Sequence, residues 1–340
     1  MILLVHLSNI ITMKSYNEYL KEARNIHLAY YLEAADFLKI HYKVLLPSFL
    51  AEFRFQDKVW HIINAATPLT NTTSTTIAKK KNLTNYVLEG AGIPVPKQRA
   101  LGSPIDTIKF YDQYKRIVIK PAQQLGGIGI TLLPNNEKEV IEAYTIAKEK
   151  NKSKGMTEVL GEEFLDGQNY RLLVVGKKVI AAVRRKSAHI IGNGQNTIQQ
   201  LIDEKNKDRK EKLLQPLKID NEVQVRLNEI NMTLDSIPES NQEVTLRYSC
   251  NLSAGGTTEE CLQEVHTYYK QLAIQAVQAI GTEFGGVDII TTDITKQVKC
   301  GINEINYNPG LRLHYKVDKG EKVKVAIPIM EYIKEKYLNS

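Results

Sequence analysis

The chain has 340 residues, of which 43% are hydrophobic and 24% are charged. These proportions exclude a disordered or fibrous chain, and the length allows a large core divided into two or three subdomains. The formal net charge is +7, but the lysines are scattered and form no long basic block. Because no helix-turn-helix, zinc-finger or RNA-binding signature occurs either, no nucleic acid partner is expected.

The cysteines and the apolar N-terminus bear on the cellular compartment. Cys250, Cys261 and Cys300 are odd in number and form no CxxC pair, so neither a disulfide framework nor a zinc site is predicted. The opening stretch MILLVHLSNIIT is too short to span a bilayer and lacks a basic leader, so it is interpreted as a buried strand. We therefore expect a cytoplasmic protein without membrane association.

Residues 1–76 are predicted to form a small N-terminal α/β domain. Apolar positions recur at helical spacing over residues 14–39. The stretch FLAEFRFQDKVWHII then alternates around a polar QDK turn, which predicts a hairpin. The Thr/Asn-rich stretch ATPLTNTTSTT, residues 66–76, is interpreted as a linker that ends this domain.

Helices and strands alternate in the segment that follows residue 77. A helix with a capping residue near Thr84 is expected to stop at Gly92 and Pro94. Next come the strand RIVIKP, the glycine loop QLGGIG, the strand ITLL and the helix NEKEVIEAYTIAKEKN. We expect these residues to form one subdomain.

The remaining chain continues this mixture of strands and helices. A long hairpin, NYRLLVVGKKVIAAVRR, is predicted to turn at Gly176 and Lys177, and one of Arg184 and Arg185 at its end is expected to face a site. A polar helical region then leads to the strand EVTLRYSC, the loop NLSAGGTTEE, a helix over 263–280, and the strands GGVDII and GINEIN. Because no segment repeats at a fixed period, a mixed α/β (α+β) fold is predicted.

The last two strands carry three oxygen-bearing side chains. Glu304 and Asn306 are two residues apart in NEIN, so they project from one face about 7 Å apart. Asp288 in GGVDII lies opposite them if the strands pair as a hairpin. Carboxylate and amide oxygens suit a hard cation such as Mg²⁺. A solvated polar strand face is the alternative, although the apolar, glycine-flanked strands imply burial, and buried carboxylates need a partner.

Two glycine-rich loops are candidates for binding phosphate or a reacting group. Gly126 and Gly127 follow Lys120, so main-chain N–H groups and a lysine charge would meet a phosphate there. This stretch is neither a P-loop nor a Rossmann fingerprint, and a plain turn is the alternative. In NLSAGG, Gly255 and Gly256 form either a turn or a main-chain cradle for an acyl phosphate or an incoming amine.

The order of these motifs resembles the ATP-grasp superfamily. Lys81 and Thr84 ahead of GIPVP, Lys120 in VIKP, the glycine loop, EEFLDGQNYRLLVVG, GVDII and NEINYNPGLR follow one another as in that family. RLLVVGKKVIAAVRRKSAHIIGNGQNTIQQLID, RYSCNLSAGGTTEE and NYNPGLRLH are similar to the ATP-grasp part of cyanophycin synthetase and of bifunctional glutathione synthetases. The resemblance covers roughly residues 77–318.

This resemblance implies a fold in which ATP is held between two α+β subdomains. Residues 77–340 would form the ATP-grasp domain, with a lid subdomain over about 77–168 and a C-terminal catalytic subdomain over about 169–340. The implied cofactors are ATP and Mg²⁺, with two ions expected and Mn²⁺ as an alternative. A homodimer is expected from family habit only.

The resemblance also implies which residues contact the nucleotide. Lys81 and Lys120 are expected at the ATP phosphates, together with the loop of Gly126 and Gly127. Asn169 stands where relatives often carry an acidic residue for the ribose hydroxyls, and an amide accepts a hydrogen bond without the added strength of a charge. The adenine-binding hinge, acting largely through main-chain groups, is expected to be Glu162, Glu163, Phe164 and Leu165.

Metal and substrate contacts are implied further along the chain. Asp288, Glu304 and Asn306 match the family's Mg²⁺ ligands. Arg247 resembles the family's cationic residue near the γ-phosphate, and Arg312 is a candidate clamp for a substrate carboxylate.

The implied activity is amide formation between amino acids or short peptides. A carboxylate would take the γ-phosphoryl group of ATP, and an amine would then displace phosphate from the acyl phosphate. The chain has no Mur-ligase-like second half, so cyanophycin polymerisation is not expected. Two alternatives are open: a ligase that modifies a ribosomal peptide or carrier protein, and a non-catalytic ATP-binding regulator. Three converging metal ligands argue against the regulator.

Overall fold

The computed structural model describes residues 14–122, 129–151, 159–211, 214–248, 250 and 252–339. The strand predicted at residues 1–12 and the loop of Gly126 and Gly127 lie outside these ranges. The helices are α1 (Tyr16–Ala23), α2 (Ile26–Phe37), α3 (Thr72–Lys79), α4 (Lys81–Gly90), α5 (Pro104–Tyr114), α6 (Glu137–Lys150), α7 (Ile198–Glu211), α8 (Asn221–Glu229), α9 (Thr267–Ala279), α10 (Arg312–Tyr315) and α11 (Ala326–Leu338). The strands are β1 (His41–Leu46), β2 (Leu50–Phe55), β3 (Lys58–Ile63), β4 (Gln98–Leu101), β5 (Ile117–Pro121), β6 (Thr131–Leu132), β7 (Val159–Glu163), β8 (Gln168–Val175), β9 (Lys178–Lys186), β10 (His189–Ile191), β11 (Glu243–Thr245), β12 (Thr257–Glu260), β13 (Phe284–Thr291) and β14 (Cys300–Asn306).

The chain divides into two compact units, and each unit is formed by more than one segment of the chain. The first contains residues up to Leu69 together with Gly310–Tyr315 and the end of the chain from Lys324. The second contains Thr70–Pro309 and Lys316–Val323. The predicted N-terminal domain of residues 1–76 stays a prediction. The division of residues 77–340 into a lid and a catalytic subdomain stays a prediction.

The first unit contains a three-stranded antiparallel sheet in the order β1-β2-β3, packed with helices. The predicted hairpin is confirmed, since β2 and β3 pair up to Phe55 opposite Lys58. The helix predicted over residues 14–39 is two helices, because Arg24 adopts a left-handed conformation (φ 50°) and ends α1. Asn25 then caps α2 by accepting hydrogen bonds from the main-chain N–H groups of the second helix.

Two local predictions near the start of the second unit are wrong. The second half of the predicted linker forms α3, because the Asn71 side chain accepts a hydrogen bond from the N–H of Ser74 and caps the helix. Thr84 does not cap α4 but lies inside it, where its hydroxyl donates to the carbonyl of Ile77 at 2.9 Å.

A four-stranded antiparallel sheet in the order β4-β7-β5-β6 follows in the second unit. The strand predicted at RIVIKP and the long polar helix after it are confirmed as β5 and α6. Apolar side chains of α5 and α6 pack on this sheet in one core, formed by Leu101, Phe110, Ile117, Ile119, Val140, Ala143, Tyr144, Ala147 and Val159.

The second unit also contains a five-stranded antiparallel sheet in the order β12-β9-β8-β13-β14. The long hairpin of β8 and β9 turns at Gly176, as predicted, with φ 56° at that glycine. The last four residues of the predicted loop NLSAGGTTEE form strand β12, and in the described part of the predicted strand EVTLRYSC the strand β11 covers Glu243–Thr245. Val287 and Ile289 pack with α9 in one core, so residues that alternate with them face the opposite side.

A small lobe of the same unit joins the short sheet β10-β11 to α7 and α8 through a core of its own. Among the described residues, no helix has both the length and the apolar character needed to cross a membrane.

Candidate active site

The last two strands form the hairpin on which the predicted metal ligands lie. Asp288 of β13 is directly opposite Glu304 of β14, and Gly286 is opposite Asn306. Opposed residues of antiparallel strands have neighbouring side chains on one face, so the two carboxylates are neighbours and Asn306 is one step further along. The predicted strand pairing is therefore confirmed. Metal binding by these residues stays a prediction.

Asp288 is completely buried between two arginines. Its oxygens accept hydrogen bonds from Nε and Nη2 of Arg171 at 2.6 and 2.7 Å, and Nη1 of Arg185 lies 3.2 Å from Oδ2. Burial alone would raise the pKa of Asp288, but the charges of Arg171 and Arg185 hold it below its usual range. This carboxylate is therefore ionised and fixed in orientation.

Glu304 and Asn306 are less constrained than Asp288. Within the described part of the chain, the half-buried Glu304 carboxylate makes no hydrogen bond or ion pair. The Asn306 amide donates weakly to the Gly286 carbonyl, at 3.5 Å, which leaves its side-chain oxygen as an acceptor. Two hard oxygen donors on one strand face are thus open to a cation.

A second buried ion pair lies on the four-stranded sheet. Nζ of Lys120 donates to Glu162 at 2.5 Å, and the two residues are buried, with exposures of 5% and 6%. The amide of Gln98 donates to the same carboxylate oxygen at 2.9 Å. Burial lowers the pKa of Lys120, although the charge of Glu162 opposes this effect.

The structure brings the predicted phosphate-binding lysines and the predicted metal ligands into one electrostatic cluster. The charges of Lys81 and Glu304 both act on Lys120, and Lys81 also acts on Asp288. This region contains two lysines and, with Glu162, three carboxylates, and part of it is inaccessible to water. Such a region is suited to binding a polyphosphate with its cation.

The predicted hinge lines a cleft beside this cluster. The N–H groups of Glu163 and Phe164 already donate to the carbonyls of Lys97 and Arg116. The N–H of Leu165 has no such partner among the described residues. The cleft, about 90 Å³ in volume, is lined by Phe164, Leu165, Asp166, Ile290, Thr292, Lys299 and Cys300.

Asn169 lies on the face of the five-stranded sheet that carries Asp288. It is opposite Arg185 across the β8-β9 pair. Its buried Oδ1 and the buried Nε of Arg185 have no hydrogen-bond partner in the described structure. Unsatisfied buried polar atoms are uncommon, so a polar ligand that pairs with them is favoured here. At the end of this hairpin, Arg185 lies on the face of Asp288, and Arg184 bonds Glu259 on the opposite face. That one of the two arginines faces an active site stays a prediction.

The loop before β12 has no room for a side chain at either of its two glycines. Gly255 has φ +98°, and a Cβ atom built on it would lie 1.7 Å from Leu217 Cδ2. A Cβ atom on Gly256 would lie 2.7 Å from the carbonyl oxygen of Cys250. Packing alone therefore requires glycine at both positions, and a role in binding a reacting group stays a prediction.

The two arginines predicted to bind phosphate and substrate, Arg247 and Arg312, interact with groups that the sequence did not indicate. Arg247 is buried and donates to Glu222 at 2.5 Å and to Asp220 at 2.6 Å. Arg312 begins α10 in the first unit, where its charge acts on Tyr16. The roles of Arg247 at phosphate and of Arg312 at substrate stay predictions.

Sequence reasoning missed Arg171, the main partner of Asp288. Part of the signal was present, because Arg171 and Asp288 each sit between apolar residues of a strand. The register that places them opposite one another comes from the fold. The role of Glu162 was also missed, since its side chain pairs with Lys120. The expectation for it concerned main-chain groups only.

Replacing Lys120 with methionine should destabilise the fold by about 3–5 kcal/mol, because Glu162 is left buried without its cation. The double variant Lys120→Met/Glu162→Gln should recover most of that stability and still bind ATP weakly. Urea unfolding and calorimetric titration with MgATP measure the two effects separately. Parental ATP affinity in the double variant would show that Lys120 does not contact the nucleotide.

Two protein-family models match the chain, and their matched ranges overlap. The RimK-like ATP-grasp domain matches residues 190–333, and the prokaryotic glutathione synthetase ATP-grasp domain matches residues 101–229. The two models together span residues 101–333 and show that the chain belongs to the ATP-grasp superfamily, as its sequence motifs predicted.

Within that superfamily the chain is similar to two kinds of curated protein. It is 35% identical over 271 residues to a cyanophycin synthetase from Crocosphaera subtropica, covering 76% of this chain and 30% of the relative. It is 30% identical over 269 residues to the glutathione biosynthesis bifunctional protein GshAB from Clostridium perfringens, covering 76% and 34%. The chain thus spans about a third of the length of these relatives.

A solved structure supports the same placement. The crystal structure of a bifunctional glutathione synthetase from Pasteurella multocida matches with a TM-score of 0.68 and 27% sequence identity. The match covers 92% of this chain and 44% of that chain. The mixed helix and sheet architecture is therefore the ATP-grasp fold.

Proposed function

We propose that the chain is an ADP-forming ligase that joins the carboxylate of one amino acid or short peptide to the amine of another. The observation that carries the proposal is the face of the five-stranded sheet on which Asp288, Glu304 and Asn306 lie, where the charge of Lys81 acts on Asp288 and that of Glu304 on Lys120. The similarity to cyanophycin synthetase and to bifunctional glutathione synthetase supports it.

The residues present fit Mg²⁺, which ATP-grasp proteins are expected to use. Glu304 and Asn306 offer oxygen atoms that no described group occupies, and Asp288 adds a fixed negative charge beside them. We propose that these three residues hold the cation. When bound, Mg²⁺ would neutralise charge on the β- and γ-phosphates.

The lysines and arginines are proposed to orient ATP and stabilise the transferred phosphoryl group. Lys81 and Lys120 supply positive charge at the phosphates, and Asn169 accepts a hydrogen bond from a ribose hydroxyl. Arg247 keeps its proposed role near the γ-phosphate. Arg185 is proposed to act on the phosphates as well, because its guanidinium lies beside Asp288 on the same sheet face. These effects are positional and electrostatic, so no covalent intermediate on the protein is needed.

In the proposed reaction, a carboxylate oxygen of the acid attacks the γ-phosphorus, the bond from that phosphorus to the bridging oxygen breaks, and ADP leaves. The amine nitrogen then attacks the acyl carbon, phosphate leaves, and the nitrogen loses a proton. Arg312 is proposed to bind a substrate carboxylate, and Gly255 and Gly256 to border the reacting acyl group. Excluding water at this stage protects the acyl phosphate from hydrolysis.

The test is release of ADP from MgATP in the presence of pooled amino acids and dipeptides, with mass spectrometry of the products. We expect ADP release to require two small components and to yield one new amide mass. ADP release that requires a protein or ribosomal peptide instead would establish the ligase with a macromolecular acceptor. Binding of MgATP with no ADP from any pool or protein fraction would contradict the proposal.

A further inference from the structure

A buried arginine outside the predicted site holds the glycine loop in place. Arg209 lies in the last turn of α7 and is 2% exposed. Its guanidinium donates through Nε to the carbonyl of Gln215 at 2.7 Å, through Nη2 to Leu252 at 3.0 Å and through Nη1 to Gly255 at 3.4 Å. One side chain therefore binds main-chain oxygens of two segments that are far apart in the sequence.

The two segments held by Arg209 also pack on each other. Asn206, one turn before Arg209, bonds Leu217 in both directions, at 2.7 Å through Oδ1 and at 3.1 Å through Nδ2. Leu217 in turn fills the space beside Gly255. Because α7 fixes both Leu217 and the loop carbonyls, the conformation of the loop depends on this helix.

This loop borders the sheet face that carries the site. Strand β12 begins immediately after the loop, and its Thr258 lies opposite Arg185. At the other end of the loop, the charges of Arg185 and Asp288 act on the thiol of Cys250. A shift in the loop would therefore occur beside the residues proposed to act on ATP and the acyl group.

We infer that Arg209 is a positioning residue, which sets the glycine loop 252–256 so that the incoming amine, rather than water, meets the acyl phosphate. The inference rests on the proposed function for its chemistry, and on the three carbonyl contacts for its geometry. The planar guanidinium has five N–H donors in a fixed fork and can hold several carbonyls at once. A lysine ammonium cannot reproduce that geometry. Loss of the guanidinium removes the hydrogen bonds to the Gln215 carbonyl and to the carbonyl of the buried Gly255, and leaves the Leu252 carbonyl with the bond it accepts from the N–H of Gly255 at 3.2 Å.

The expected effect separates capture of the acyl phosphate from its formation. In Arg209→Lys and Arg209→Gln, the KM for the amine should rise about tenfold, as expected when buried charge-assisted hydrogen bonds are lost. The KM for MgATP should change by less than about twofold, because Lys81, Lys120 and Glu304 are untouched. Hydrolysis of the uncaptured acyl phosphate should raise the ratio of ADP released to amide formed well above one.

The experiment compares the full-length parent, the two Arg209 variants and Arg226→Gln in the assay with pooled amino acids and dipeptides. Arg226 is a matched control, since it is a partly buried arginine on the neighbouring helix α8 and pairs with Glu229 at 2.8 Å. Hydrogen exchange of residues 252–256 is measured on the same four proteins. A raised ADP-to-amide ratio with faster exchange confined to this loop, in the Arg209 variants alone, supports the inference.

The contrary results are distinct from failure of the proposed function. A lower Tm with equal losses of ADP and amide, at an unchanged ratio, would show that Arg209 only stabilises the fold and would overturn the inference. A parent that forms no amide would refute the ligase itself. In that case exchange still decides the positioning role: unchanged exchange at 252–256 in Arg209→Lys refutes it, and faster exchange there supports it.

Discussion

Glu304→Gln is expected to lower the rate of ADP formation about a thousandfold, while the thermal unfolding temperature stays close to that of the parent. The amide keeps the size of the side chain but removes the charge proposed to hold Mg²⁺ against the phosphates, and such electrostatic effects amount to several kcal/mol of barrier. Stability should be retained because Glu304 makes no ion pair in the described structure that the change would break.

Steady-state ADP release and differential scanning calorimetry test this expectation. Glu264→Gln is the matched control, because Glu264 pairs with Arg184, which faces the other side of the same sheet. Its activity should equal that of the parent. Activity of Glu304→Gln within tenfold of the parent, at saturating Mg²⁺, would remove Glu304 from the metal site and weaken the ligase proposal with it.

In the hairpin that carries Glu304, some features could be predicted from the sequence and others could not. The alternation in NEIN was enough to predict that Glu304 and Asn306 share a face, and that Asp288 lies opposite them if the two strands pair. The bulge after Asp288 was not predictable, since it arises from packing. Ile302 pairs with Ile289 and Glu304 with Asp288, so the residue between them is left outside the register. Both strands thereby keep their apolar residues in the core.

Partners of charged residues were harder to predict than the residues themselves. Arg247 was assigned from the resemblance, but its neighbours Asp220 and Glu222 come from a polar stretch with no motif. Arg209 had no signal at all, because its acceptors are main-chain carbonyls whose positions depend on the folded loop. Pairing across the fold is decided by tertiary packing, which local pattern does not encode.

Asp288→Asn is expected to abolish activity and also to destabilise the protein by about 3–5 kcal/mol at pH 7. The change removes the carboxylate that Arg171 and Arg185 contact, and a buried charge that loses its paired partner is strongly unfavourable. The double variant Arg171→Met/Asp288→Leu should recover part of this stability, since only Arg185 then lacks its partner, and it should remain inactive.

The pH dependence of unfolding identifies the cause. Arg171 and Arg185 hold the pKa of Asp288 below its usual range despite burial, so its contribution to stability is present above the ordinary carboxyl pKa of about 4. That contribution is lost as the pH falls through the lower pKa of the folded state. The free energy of unfolding of the parent and of Asp288→Asn is measured with urea at several pH values. The difference between the two proteins should be constant from pH 7 to about 5 and should become smaller below about pH 4. A gap independent of pH would mean that the asparagine acts through shape, and that the charge of Asp288 does not stabilise the fold.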